Sequence, residues 1–148
     1  MPLKTPVGFL IYNRPKVTQR VFDEIARAKP EMLLVVCDGP RTDRTGEREQ
    51  VMATRAIIDQ VDWPCEVLTN FSSENMGCKR RITSGLAWIF QVVQEAIILE
   101  DDCLPEPTFF TFCQDLLKYY RDDQRVVSIS GNNFQDKQLQ SRYSYYFS

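Results

Sequence analysis

The chain has 148 residues, 43% hydrophobic and 26% charged, with a formal net charge of -2. That length fits one domain with a real core, and the composition is that of a soluble globular protein, neither fibrous nor disordered. It excludes a broad nucleic-acid footprint, which needs a basic excess, and a membrane span, which needs about 20 consecutive apolar residues; the absence of any histidine removes His-based acid–base catalysis, Ser-His-Asp triads and Cys/His zinc sites.

The opening "MPLKTPVGFLIYNRP" has an apolar run too short for a secretory signal, so a cytoplasmic protein is expected. Within it, "VGFLIY" (7–12) reads as a buried strand bounded by Pro6 and by Asn13-Arg14-Pro15. Pro15 opens a helical pattern with Val17, Val21, Phe22, Ile25 and Ala28 on one face, closing near Pro30. "MLLVVC" (32–37) is a second strand stopping at Asp38-Gly39-Pro40, and a polar loop leads to a helix over 48–61. "CEVLTNF" (65–71) predicts a third strand, and a loop through Asn75 and Gly77 precedes a helix over 79–94. "AIIL" (96–99) is the fourth strand and runs straight into Glu100-Asp101-Asp102; a helix over 107–123 and a fifth strand, "RVVSISG" (125–131), follow. The closing "SRYSYYFS" is aromatic and strand-like. Near-continuous apolar strands alternating with helices predict an α/β fold, Rossmann-like, with a mostly parallel sheet buried on both faces. Nothing splits residues 1–148 into two domains. Five cysteines, odd in number and without a CxxC pair, read as small buried thiols in a reducing compartment.

In an open parallel sheet, ligands bind beyond the carboxyl ends of the strands. Here those ends deliver Tyr12, Asn13 and Arg14, then Asp38, then Asn75 with Lys79, Arg80 and Arg81, and finally the three acids. Adjacent carboxylates repel unless a cation lies between them. A hard ion such as Mg²⁺ or Mn²⁺ takes oxygen ligands and often uses only one or two carboxylates, with phosphate oxygens completing its shell. The plainer reading is a solvated acidic loop ahead of a helix. Basic residues opening a helix oppose its dipole, which suits a docked anion or merely a solvated first turn. Asp38-Gly39-Pro40 reads equally as an ordinary turn.

The blocks "VGFLIYNRP", "LLVVCDGPR", "ENMGCKRRITSGLAWIF", "AIILEDDCLPEPTFFTFC" and "RVVSISGNNF" resemble, in that order, the nucleotide-diphospho-sugar glycosyltransferases of GT-A fold. The likeness is closest to bacterial surface-polysaccharide transferases and more distant to the N-acetylglucosaminyltransferase I group. It runs from about Pro6 to Phe134. The resemblance implies that Glu100, Asp101 and Asp102 form a variant DxD motif. Asp102 would hold the Mg²⁺ or Mn²⁺, with Glu100 and Asp101 near the ribose. It implies that Tyr12, Asn13 and Arg14 line the nucleotide pocket, that Asp38 accepts a hydrogen bond from the base, and that Asn75 and Arg80 or Arg81 approach the nucleotide or its phosphates. Such an enzyme would work in the cytoplasm or at the inner membrane face, moving sugar from a nucleotide-sugar to a glycan acceptor. Members continue with an acceptor-binding part and a general base, so residues 1–148 are expected to be the sugar-donor half, with no catalytic residue assigned. A homodimer would be one way to cover the unfinished sheet. A nucleotide-sugar-binding module without turnover is the competing reading. A sugar nucleotidyltransferase would need a Gly-rich loop where "NRPK" stands.

Overall fold

Val7–Ile11 (β1), Met32–Cys37 (β2), Glu66–Phe71 (β3) and Ile97–Glu100 (β4) form one sheet in the order β3-β2-β1-β4, with every pairing parallel. The structure is a computed structural model and describes residues 2–131; "SRYSYYFS" and the end of "GNNF" lie outside those residues. The helices are Pro15–Ala28 (α1), Glu47–Ala56 (α2, continued by a 3₁₀ turn over Ile57–Gln60), Cys78–Val92 (α3) and Pro107–Tyr120 (α4). No helix among the described residues is long and apolar enough to cross a membrane.

Local chemistry sets these boundaries. Pro15 and Pro107 sit in the first turns of α1 and α4, where a fixed φ helps and a missing N–H costs nothing. Lys29 ends α1 in the left-handed conformation, and its N–H donates to Ile25 O at 3.0 Å. In β2 every residue from Leu33 to Cys37 is buried, as expected of a central parallel strand covered on both faces.

The pleat divides the core in two. Val7, Phe9, Ile11, Leu33, Val35, Ile97 and Leu99 pack with Val21, Phe22 and Ile25 of α1, Val51 of α2, and Phe110 and Cys113 of α4. Leu34 and Val36 point the other way, onto Ile89 of α3. Each fully buried aliphatic or aromatic side chain contributes roughly 1.5–3 kcal/mol. α3 lies close to the sheet because Gly85 faces Val36 without a side chain; a Cβ there would come within 2.6 Å of Val36 Cγ1.

The chain steps outward from β1 to β3 with α1 and α2 on one face. It then returns through α3 on the opposite face to place β4 on the far side of β1, as right-handed crossovers require. The strand order therefore reverses between β1 and β4.

The expected fifth strand does not form. Among the described residues, 125–131 are in no strand, and Val127 is 95% exposed. α4 packs on the α1 face, so a parallel strand added outside β4 from there would make a left-handed crossover, which is strongly disfavoured. Instead Asp123 N–H and Val126 N–H close tight turns on Tyr120 O and Asp123 O, both at 3.0 Å.

Candidate nucleotide cleft

A cleft of about 490 Å³ opens at the carboxyl ends of the strands, spanning the point where strand order reverses. It has two chemically different ends.

One end is built by β1, β2 and the loop before α3. Asp38, buried at the end of β2, accepts from Gly39 N–H and Met76 N–H at 2.9 Å through Oδ1 and from Gly77 N–H at 3.1 Å through Oδ2. Its carboxylate thus fastens the loop entering α3. Gly77, the residue before α3, has φ 79° and ψ 152°, a region open essentially to glycine alone. Asn75 Nδ2 donates to Gly39 O at 2.8 Å and to the Tyr12 hydroxyl at 2.9 Å. Tyr12 in turn donates to Glu47 Oε2 at 2.9 Å, and Asn13 Nδ2 donates to Glu47 Oε1 at 3.0 Å. Arg41 closes the network from the β2–α2 loop, giving its backbone N–H to Glu47 Oε2 at 2.7 Å and its Nε to both oxygens at 3.1 Å.

This network fixes protonation. The hydrogen bonds from the Arg41 guanidinium, with Tyr12 adding to them, lower the Glu47 pKa to about 2 against the cost of its burial. Burial and the adjacent Glu47 carboxylate push the Tyr12 phenol up to about 12.

The other end is built by the start of α1 and the end of β4. Glu100 and Asp101 line the cleft, and Asp102 sits at its rim with a 47% exposed side chain. Asp101 is buried, and Arg14 Nη2 bridges it to Asp102, 3.2 Å from Asp102 Oδ2. Thr18 of α1 contacts the other Asp101 oxygen at 3.5 Å. The cation between these two acids is therefore a guanidinium. Among the described residues no group of three or more His, Cys, Asp or Glu is placed to hold a metal ion, so an all-protein cage does not fit. Glu100 and Asp102 offer the carboxylate oxygens that a hard ion takes when it keeps few protein ligands and brings phosphate oxygens with it.

The basic run divides. Arg81 lines the cleft but is buried, its guanidinium given to Cys37 O at 3.2 Å, to Asn70 Oδ1 at 2.8 Å and to Asn70 O. Burial lowers its pKa. Arg80 is exposed and not among the residues lining the cleft. The structure thus brings together Tyr12, Asn13, Arg14, Asp38, Asn75, Arg81, Glu100 and Asp101, with Asp102 at the rim.

Sequence reasoning passed over Glu47, Arg41 and Arg55. Arg55 stacks on Phe71 at 4.8 Å and donates to Asp38 O and Ser72 O at 3.0 and 2.7 Å, tying the ends of β2 and β3. An acid in the first turn of a helix reads as a complement to the dipole, which hid Glu47. Compared with protein-family models, curated proteins and solved structures, the chain matches none of them.

Proposed function

We propose that residues 1–148 form the sugar-donor-binding part of a nucleotide-diphospho-sugar glycosyltransferase of GT-A type, serving transfer to a cell-surface glycan. The observation that carries this reading is the two-ended cleft at the strand-order switch. Hydrogen-bonding groups of Tyr12, Asp38 and Asn75 lie at one end, and Glu100, Asp101 and Asp102 crossed by Arg14 lie at the other.

In this reading the nucleoside lies toward Tyr12, Asn13, Asp38 and Asn75, and the diphosphate toward the acids. Asp102, assisted by Glu100, would hold a Mg²⁺ or Mn²⁺, which supplies positive charge against the charge developing on the departing nucleoside diphosphate. Arg14 holds the acidic turn in place through Asp101 and brings a fixed cation to the same region. Asp38 keeps the loop entering α3 against the nucleoside side. The first four of the sequence blocks that resemble the transferases fall on these same elements.

Calorimetric titration with UDP, GDP and dTDP, each with and without Mn²⁺, tests the proposal. At least one should bind, more tightly with metal, and Asp102→Ala should abolish the metal enhancement while leaving the fold intact. The reading fails if none binds with metal present. Release of UDP from UDP-sugars, assayed in the same preparation, separates an enzyme from a binding module.

A further inference from the structure

Asp101 and Asp102 share one nitrogen of Arg14 but are held in different ways. The Asp101 side chain is 5% exposed and is fixed from two sides. Arg14 Nη2 donates to its Oδ1, and the buried Thr18 hydroxyl lies 3.5 Å from its Oδ2. Thr18 also gives its backbone N–H to Arg14 O at 2.9 Å, so one residue of α1 anchors both partners of that ion pair. Asp102 is 47% exposed. Its Oδ2 is 3.2 Å from the same Nη2, and its Oδ1 meets the Cys103 thiol, a weak donor, at 3.7 Å. A half-exposed ion pair of this kind is worth little against water and salt, whereas a buried carboxylate stripped of its cation is costly. The Asp101 contact is therefore permanent and the Asp102 contact exchangeable.

We propose that Arg14 makes the acid end selective: it reserves Asp102 for a divalent ion that arrives with a diphosphate and holds off the ion alone. A bare ion must draw Asp102 away from a guanidinium that stays anchored at Asp101, and then lies beside its positive charge. A diphosphate supplies the negative charge that this arrangement lacks. Arg14 lines the cleft, and its Nε and Nη1 make no protein hydrogen bond among the described residues. Those N–H groups remain for phosphate oxygens once Asp102 has turned to the ion. Nucleotide and ion thus strengthen each other's binding through Arg14. This inference deepens the proposed function and rests on its metal–diphosphate reading.

Arg14→Gln is the deciding variant, because its amide can still donate to Asp101 and keep the acidic turn while the charge is lost. Electron paramagnetic resonance counts free Mn²⁺, and calorimetry follows UDP, GDP and dTDP at fixed Mn²⁺. Mn²⁺ alone should bind Arg14→Gln about fivefold tighter than wild type, the upper worth of a half-exposed ion pair. The nucleotide that binds wild type tightest should bind the variant about tenfold weaker in Mn²⁺, for the loss of a charge-assisted hydrogen bond. Arg14→Lys keeps a cation beside the acids and should leave the affinity for Mn²⁺ alone near that of wild type. A role confined to holding the acidic turn would weaken both ligands in Arg14→Gln and overturn the proposal, as would an unchanged affinity for Mn²⁺ alone.

A second readout uses the wild type only. In ¹⁵N spectra the Arg14 Nε–H signal, traced from its own backbone amide, should shift when Mg²⁺ and the nucleotide are added together and stay in place with the same Mg²⁺ alone. An equal shift with Mg²⁺ alone overturns the proposal. Wild type that binds none of the three nucleotides in Mn²⁺, with Mn²⁺ alone tightened in Arg14→Gln, overturns the metal–diphosphate reading and the selectivity built on it.

Discussion

A carboxylate held near a pKa of 2 by the Arg41 guanidinium makes folding depend on acid in a defined window. The unfolded chain takes up a proton at Glu47 near pH 4.5, whereas the folded chain resists until about pH 2. The stabilisation from ionised Glu47 is therefore complete above about pH 4.5 and is lost as pH falls toward 2. Urea midpoints of wild type and Glu47→Gln, measured from pH 2 to 6, should differ most at the upper end and converge at the lower. Parallel curves would contradict this account. Glu47 also shows what single residues hide. Tyr12, Asn13, Asp38 and Asn75 were legible because they follow strands. Glu47 opens a helix in the usual place for an acid, and nothing in the sequence says that it turns back under Tyr12. Arg81 was legible as a cation near the cleft, but its commitment to Asn70 and Cys37 comes only from the approach of α3 to the ends of β2 and β3.

Two glycines open helices with the same φ of 79° and different ψ, -7° at Gly46 and 152° at Gly77. Neither has a neighbour within 4 Å of where a Cβ would stand, so backbone conformation alone decides what each position tolerates. The left-handed region of Gly46 accepts asparagine at little cost, but that of Gly77 does not. Gly77→Asn should lose roughly 1–3 kcal/mol of stability and loosen the Asp38 contact, while Gly46→Asn should stay within about 0.5 kcal/mol of wild type. Denaturant unfolding of the two variants checks this; equal losses would contradict it. At this scale the four strands and four helices were readable from apolar runs, 3.6-residue spacing and Pro15 and Pro107. The segment 125–131 was not, because its β-rich composition says nothing about handedness. α4 lies on the face from which a further parallel strand cannot be reached by a right-handed path.

The strand order puts the acids beside the first-strand residues that answer them. Had β4 joined the β3 edge, Arg14 would lie three strands from Asp101. Joined instead to β1, with Leu10 in register with Glu100, β4 delivers its acids next to the start of α1, where Arg14 spans two of them. The sequence showed an acidic run after a buried strand; it did not show which edge that strand would take. The resulting cleft separates an end whose charges are answered within the protein, Asp38 by backbone N–H groups and Glu47 by Arg41, from an end lined by a cluster of acids, and the proposed nucleoside diphosphate would divide between them as base and phosphates. Backbone amide spectra recorded during titration with UDP and Mg²⁺ test that match most directly. The account expects shifts concentrated at residues 12–14, 38–39, 75–77 and 100–102. An unchanged spectrum, or shifts confined to the shallow groove between α1 and α2 around Lys16 and Gln19, would contradict it.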